Sequence, residues 1–443
     1  MAIQLSEHFN YKKLIKFTIP TIIMMIFTSI YGVVDGIFVS NCVGSDAFAA
    51  VNLIMPVLMI MGAIGFMIGT GGSAIVSKTI GEGDKEKANR YFSMLTYTLI
   101  IAGTILTIIG EIFIEPIAKL LGAEGEILTN CVIYGRILTF ALIPFLLQNS
   151  FQSFLVVAEK PQMGLIISIM VGITNMILDF VFMYIFKLGV WGAALATGIS
   201  QMIGGIIPLV YFISKNNSPL RLVKTKFESK PIISSCINGS SEMLTNLSMS
   251  LVNMLYNIQL MKLVGADGVV AYGIIMYISF VFSSTYLGYS IGVAPIIGYH
   301  YGAGNKDELK NLFKKSLIII GVTALVMTLL AEILSGALAS IFVSYNKELL
   351  DMTILAIRLF SISFIFSGFN IFGSAFFTAL NNGLVSAVIS FLRTLVFQIV
   401  MIFVLPLILG INGIWLAVVA AEILALIVTI ILIMLNRKKY EYV

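Results

Sequence analysis

The sequence predicts an all-α polytopic membrane protein, with twelve transmembrane helices in two six-helix bundles related by a pseudo-twofold axis. Three observations predict this fold: a charge-poor composition, twelve long apolar runs and an internal repeat. Hydrophobic residues make up 59% and charged residues 11% of the 443 positions, whereas soluble domains carry about 25% charged residues. Most of this surface must therefore face lipid, where only helices and closed barrels satisfy every backbone hydrogen bond. The long apolar runs favour helices, because barrel strands alternate.

About twenty apolar residues cross a bilayer core of roughly 30 Å. We predict spans at 14–39, 48–77, 91–113, 131–158, 163–186, 190–214, 235–262, 269–298, 312–334, 351–380, 384–406 and 412–435. The longest break between spans, from Lys215 to Pro231, is rich in Lys and Arg. It divides the chain into a predicted N-terminal lobe (1–214), a cytoplasmic linker (215–234) and a C-terminal lobe (235–443).

Lys and Arg residues concentrate in the loops on the side that holds the N-terminus. The opposite side has Lys119, Lys187, Lys262 and Lys347, with Arg136 and Arg358 just inside span ends. By the positive-inside rule, both termini should be cytoplasmic in a multi-pass protein of the cell inner (plasma) membrane. The net charge is +5, but the basic residues are scattered over short loops, so the charge does not indicate binding to nucleic acid. We expect a monomer surrounded by the lipid bilayer.

A shift of 221 positions aligns the two halves over a long stretch. It carries Gly44 onto Gly265, Glu111 onto Glu332 and Gly189 onto Gly410. Each half therefore contains six spans in the same orientation, as in parallel repeats related by an axis along the membrane normal. Two such bundles facing a central cavity suit alternating access. A receptor or a static scaffold fits this symmetry poorly.

Four polar side chains of the N-terminal half are predicted to share one layer in the outer part of the membrane. Asp35 and Asp179 lie late in spans that run outward, Asn175 lies one turn before Asp179, and Thr197 lies early in span six. A charge at this depth costs about 2.5–3.5 kcal/mol, so it is a functional candidate. Two acids without a nearby Lys or Arg should hold a proton or share a monovalent cation. Alternatively, Asp179 only bonds a helix partner.

The acidic site is not duplicated, since the same shift carries Asp35 onto Tyr256. The C-terminal half instead has Glu242, Arg393 and Glu422 in spans seven, eleven and twelve. These residues predict an internal ion pair of Arg393, or else a substrate-binding or second coupling site.

Other polar side chains are candidates for a substrate cavity. They are Glu242, Asn246, Asn253, Tyr256 and Asn257 in span seven, Gln148, Asn149 and Gln152 in span four, and Asn370 in span ten. Interhelical hydrogen bonding would leave the same pattern. A cavity rich in Met and aromatic residues would suit varied organic cations. The sequence has no phosphate-binding loop and only two His residues. We therefore predict no enzyme activity, no cofactor and no metal site beyond a monovalent cation at Asp35 and Asp179.

Over essentially its whole length the chain resembles the multidrug and toxin extrusion (MATE) family of the MOP superfamily. The branch that it resembles is the bacterial DinF/MepA type. Four motifs carry this resemblance. They are Pro20 with Asp35, the loop Gly81-Glu82-Gly83-Asp84, Asn175-x-x-x-Asp179, and Gly189-x-x-Gly192-Ala193-Ala194-x-Ala196-Thr197.

The resemblance implies antiport of organic, mostly cationic, compounds against H+ or Na+ through a cleft between the lobes. By residue-level match, Asp35 would carry the coupling proton, with Asn175, Asp179 and Thr197 as its network. Pro20 would be the point at which the first helix bends. NorM-type relatives use an acid in span ten for a sodium site, whereas this chain has Asn370 there.

A flippase for lipid-linked oligosaccharides from the same superfamily is the alternative. Such a protein would need several cationic side chains facing the cavity. Only Arg393 lies deep in the predicted spans.

Overall fold

The computed structural model describes residues 3–442, apart from the side chains of residues 37, 40, 41 and 45. Within these residues it contains α-helices and two π-helical segments, and no β-strand. The α-helices are α1 Tyr11–Cys42, α2 Ser45–Gly81, α3 Lys85–Leu120, α4 Gly125–Phe140, α5 Leu142–Val157, α6 Pro161–Asp179, α7 Val190–Ile213, α8 Ser229–Leu263, α9 Ala266–Gly302, α10 Lys306–Val343, α11 Lys347–Ser361, α12 Phe364–Ala379, α13 Gly383–Phe391, α14 Phe397–Leu409 and α15 Ile411–Tyr440. The π-helical segments are Phe180–Ile185 and Leu392–Val396.

The predicted fold class is confirmed, and helices cover all twelve predicted spans. Among the described residues, nine helical segments are long and apolar enough to cross a membrane. The bent pairs α4–α5 and α11–α12 raise this number to eleven. The remaining span, α8, does not meet the same criterion because polar residues such as Asn238, Asn246 and Asn253 lower its hydropathy.

The helix after the linker starts earlier than the predicted span. Residues 214–228 are not helical, and α8 begins at Ser229, six residues before the predicted start of span seven at residue 235. Pro231 suggested a later start, but a proline is tolerated in the first turn of a helix, where its missing N–H has no partner to lose. The linker packs on α3, where Asn89 accepts a hydrogen bond from the Arg221 backbone N–H.

Four predicted spans are not regular helices. Span four bends by 58° between α4 and α5, and span ten bends by 46° between α11 and α12. Pro144 contributes to the first bend, because it has no N–H for the Phe140 carbonyl four residues earlier. Span ten has no proline at the place that corresponds to Pro144. The π-helical segments interrupt the other two spans, five and eleven.

The two halves of the chain pack against each other through α1, α2, α8 and α9. A Cβ atom at Gly81 would overlap the Tyr299 carbonyl oxygen, and one at Gly302 would overlap the Lys78 carbonyl oxygen. The repeat shift of 221 exchanges these two contacts, as a pseudo-twofold axis through the interface requires. Both contacts lie where α2 and α9 end, on the face that also holds the start of α1, which we call the terminal face.

Backbone contacts between α2 and α8 continue this interface. A Cβ atom at Gly71 would overlap the Ser235 carbonyl oxygen, and one at Gly239 would overlap the Met67 carbonyl oxygen. By contrast, Gly32 of α1 and Gly273 of α9, which lie farther from the terminal face, have no atom within 4 Å of such a Cβ. The halves are therefore in tight contact at the terminal face and looser toward the opposite face.

We expect Gly239→Ala to destabilise the protein by about 1–3 kcal/mol, because the added methyl group has no room beside the Met67 carbonyl. Gly273→Ala is the matched control. It lies in the middle of a helix with open space around it, so it should be neutral or slightly stabilising. Thermal unfolding of both purified variants in detergent measures the difference. Equal midpoints for the two variants would show that this contact does not limit stability.

The N-terminal segment before α1 bridges the two halves on the terminal face. The Leu5 backbone N–H donates to Glu159 of the N-terminal half at 2.8 Å, and the Phe9 N–H donates to Glu308 of the C-terminal half at 2.9 Å. His8 Nδ1 lies 2.6 Å from the second oxygen of Glu308. Burial raises the pKa of the Glu159 carboxyl, although the hydrogen bond from Leu5 opposes this shift. The segment thus ties both halves together where they meet.

Candidate functional site

Three of the predicted site residues meet inside the N-terminal half. Asp179 is the last residue of α6 and is fully buried, and Asn175 lies one turn earlier on the same helix face. The Asp35 carboxyl group of α1 lies next to both the Asp179 carboxyl group and the Asn175 amide. The depth estimates therefore agree with the observed proximity of these three side chains.

A π-helical segment begins directly after Asp179. Residues 180–185 adopt the wider π-helical turn, which shifts the following residues around the helix axis. Such segments occur frequently at functional sites. Nothing in the sequence pattern indicated it, because a π-helical turn uses the same apolar residues as the α-helix around it.

Two tyrosines join the site and were not predicted. Tyr134 of α4 is fully buried, and its hydroxyl lies beside that of Thr197 of α7, near both acids. Tyr31 lies one turn before Asp35 on α1 and contacts Gln148 of α5. The spacing from Tyr31 to Asp35 is a signal that sequence reasoning could have used. Tyr134 carries no such signal, because its place depends on how α4 packs.

Most polar atoms of this site are buried without a hydrogen-bond partner among the described residues. They are Asp35 Oδ1, both carboxyl oxygens of Asp179, Asn175 Oδ1, Thr197 Oγ1, the Tyr134 hydroxyl and Gln148 Oε1. Within residues 3–442, no Lys or Arg forms an ion pair with either acid, and no third acidic, His or Cys side chain completes a metal-binding group with them. Two adjacent carboxyl groups in such surroundings fit a shared proton or a small monovalent cation held by oxygen atoms.

The C-terminal half contains a separate polar network. Arg393, in the second π-helical segment, places Nε 2.8 Å and 3.0 Å from the two carboxyl oxygens of Glu422. Asn370 donates to Glu422 Oε2 at 2.7 Å and accepts from the Thr429 hydroxyl at 2.9 Å. Glu242 lies close enough to interact electrostatically with Arg393, but no ion pair within 4.0 Å joins them. The structure therefore contains the Arg393 ion pair, and Glu422 is the partner.

A family model for MatE matches residues 20–205 and 242–404 of the chain. These ranges include Asp35, Asp179, Asn370 and Arg393, and they end before Glu422. The chain is a member of the MatE family. This membership confirms the resemblance predicted from the four motifs.

The MatE chain is also similar to named relatives and to solved structures over nearly its full length. It is 24% identical to the multidrug export protein MepA of Staphylococcus aureus and 26% identical to that of Staphylococcus haemolyticus, in each case over 97% of this chain and 94% of the relative. A solved outward-facing conformation of a multidrug resistance MATE family transporter of the MOP superfamily superposes with a TM-score of 0.93 at 24% identity. The aligned region covers 99% of this chain and 98% of the solved chain, and the two proteins share the fold.

Several predicted cavity residues of this MatE protein lie inside helix packing. Gln148, Asn149 and Gln152 of α5 are buried, and Gln148 and Gln152 line a cavity of about 10 Å³, which has room for no more than a water molecule. Asn370 belongs to the Glu422 network. Tyr256 is buried and stacks on Tyr272, with 4.7 Å between ring centroids.

The asparagines of α8 have different surroundings. Asn246 donates to the Glu242 carbonyl of its own helix, and Asn253 accepts from the Tyr272 hydroxyl at 2.8 Å. Asn257 is exposed. Of the three, Asn257 is the one whose side chain is most open to a ligand in this conformation. Their role as substrate contacts stays a prediction.

Proposed function

We propose that this MatE protein is a secondary active exporter of organic, mostly cationic, compounds, driven by inward movement of H+ or Na+. Asp35 and Asp179 form the coupling site, with Asn175 and Thr197 as neighbouring ligands. One observation carries this proposal: two buried carboxyl groups lie together with no cationic partner among the described residues. The names of the MepA relatives support multidrug export as its purpose.

The proposed coupling follows from charge balance. A proton or Na+ on the acid pair reduces its negative charge, and loss of that ion leaves a negative site that attracts an organic cation. Because both ligands neutralise the same charge, each weakens binding of the other, which is the requirement for exchange. A carboxyl, amide and hydroxyl cluster suits either ion.

Alternating access requires that the two halves change their relative tilt. We infer that the N-terminal lobe and the C-terminal lobe rock about the interface of α1, α2, α8 and α9, with both termini in the cytoplasm. The tight glycine contacts on the terminal face then close the cytoplasmic side in this conformation. Pro20 lies within the unbroken α1 and remains our candidate for the point where that helix bends.

The charge distribution supports an exporter over a flippase for anionic lipid-linked saccharides. The flippase would need free cationic side chains inside the cavity. Arg393 is bound to Glu422, and Arg136 and Arg358 each lie beside an acid near the end of a span. These pairings leave little positive charge for a pyrophosphate.

Reconstituted vesicles test the proposal. We expect an acidic or Na+-loaded lumen to drive ethidium into vesicles that contain the protein in inverted orientation, and a matching ionophore to stop it. Ethidium is a permanent cation, so its distribution does not follow pH by itself. Protein-free vesicles are the control. Equal uptake with and without both gradients would contradict the proposal, and the gradient that drives uptake identifies the ion.

A further inference from the structure

Each half of the chain contains one sharply bent span, and the two bends occupy equivalent places in the repeat. The first lies between α4 and α5, and the second lies between α11 and α12. Pro144 contributes to the first bend, but its repeat equivalent is Phe366. The second bend must therefore have another cause, and a cause common to both halves is the simpler explanation.

In the N-terminal half, a carboxylate from the neighbouring span holds the bend. The Thr139 hydroxyl, at the end of α4, lies 2.5 Å from a Glu111 carboxylate oxygen of α3 and 2.8 Å from the Arg136 carbonyl oxygen of its own helix, so two acceptors share its single proton. The Thr139 carbonyl, which lacks a regular helical partner at the bend, accepts from Thr107 of α3 at 2.9 Å. Arg136 Nε lies 3.9 Å from Glu111.

The C-terminal half repeats this arrangement residue by residue. The Ser361 hydroxyl, at the end of α11, lies 2.9 Å from a Glu332 carboxylate oxygen of α10 and 2.8 Å from the Arg358 carbonyl oxygen of its own helix, the same pair of acceptors as at Thr139. The Ser361 carbonyl accepts from Thr328 at 3.5 Å, and Arg358 Nε lies 4.0 Å from Glu332. The α3 residues map onto α10 with a shift of 221 positions, and the α4 residues map onto α11 with a shift of 222.

This duplication contrasts with the acid pair, because Asp35 is replaced by Tyr256 in the other half. The bend contacts are therefore retained in a half that lacks the acid pair. Their hydroxyl groups differ, Thr in one half and Ser in the other, so the shared feature is the hydroxyl bound to a carboxylate. The loose Arg contacts, with side chains about half exposed, contribute much less.

We propose that Glu111 and Glu332, through the hydroxyls of Thr139 and Ser361, are positioning residues that set the bends of spans four and ten. In the N-terminal half, α4 carries Tyr134 beside the acid pair, five residues before Thr139. In the C-terminal half, α12 carries Asn370 of the Glu422 network. Glu111 thus contacts the helix that carries Tyr134, and Glu332 contacts the end of α11, which precedes the Asn370 helix across the bend.

Distance measurements between spin labels test the bend directly. Labels at Glu126 and Lys160 flank the first bent span, in protein whose three cysteines are replaced by alanine. We expect Thr139→Val to shift or broaden the label distance, because it removes the hydroxyl and keeps the side-chain shape. Thr139→Ser should restore the wild-type distance. The control is Thr129→Val, also on α4, because that hydroxyl bonds only the Gly125 carbonyl of its own helix.

Transport kinetics give a second test of the positioning role, and this test rests on the proposed function. We expect Thr139→Val to lower kcat for ethidium about tenfold with KM nearly unchanged, since misplacing a working group by a fraction of an ångström slows turnover without removing a substrate contact. Thr139→Ser and Thr129→Val should transport normally. If wild-type protein transports nothing but the label distances respond as expected, the proposed function fails and the positioning role stands.

Unchanged label distances in Thr139→Val would overturn the inference, whatever happens to transport. If that variant does not fold, Ser361→Ala and Ser361→Thr give the same comparison in the other half, with labels at Glu348 and Leu384. A shift in Ser361→Ala that Ser361→Thr does not show supports the proposal. Equal distances in both overturn it.

Discussion

Replacing Asp35 with asparagine should reduce gradient-driven ethidium transport to the level of protein-free vesicles. The substitution keeps the size and polarity of the side chain but removes the carboxyl group that lies next to Asp179 and that we propose as half of the coupling site. The remaining acid is fully buried and can no longer share an ion with a second carboxylate. Initial uptake rates in proteoliposomes with an imposed gradient measure this loss.

Asp351→Asn is the matched control for Asp35→Asn. Asp351 is an exposed acid in the first turns of α11 and lies outside the candidate site, so its amide variant should transport at the normal rate. If the vesicle assay identifies H+ as the ion, proton release on ethidium binding gives a second measurement, which wild-type protein should show and Asp35→Asn should lose. Normal gradient-driven rates in Asp35→Asn would remove Asp35 from the coupling mechanism.

Replacing Arg393 with methionine should destabilise the C-terminal half by about 3–5 kcal/mol, the usual cost of leaving one member of a buried ion pair without its partner. Arg393→Met leaves Glu422 buried and also removes the positive charge that acts on Glu242. Glu422→Gln should cost less, because Arg393 keeps Glu242 nearby and Gln still accepts the hydrogen bond from Asn370. Thermal unfolding of the purified variants in detergent measures both changes.

The double variant Arg393→Met with Glu422→Met is the control for the predicted loss of stability in Arg393→Met. It removes both charges together, so it should recover part of the stability that Arg393→Met loses. Stability of Arg393→Met equal to that of wild type would show that the pair has no structural role. Glu242→Gln distinguishes a structural role of Glu242 from a substrate-binding or coupling role. Loss of transport at unchanged stability would indicate a functional acid at that position.

The fold was largely predictable because its determinants repeat along the chain. Apolar runs located all twelve helical spans. The ends of α1 (Tyr11–Cys42) lie close to the predicted 14–39, whereas α10 (Lys306–Val343) extends well beyond the predicted 312–334. The shift of 221 positions predicted the symmetry that exchanges the contacts of Gly81 and Gly302. The bends and π-helical segments were missed, although Pro144 was a usable signal for one of them.

Counting residues along helices was enough to bring Asp35, Asp179 and Asn175 to one depth, because helical rise is constant. It could not assign Tyr134 to the same site or choose Glu422 over Glu242 as the partner of Arg393, since both depend on how helices rotate and bend against each other. By itself, the sequence determined the membrane class, the two related halves and the height of each polar group. Only the tertiary structure decided which groups touch, because lateral packing depends on contacts between residues that are far apart in the chain.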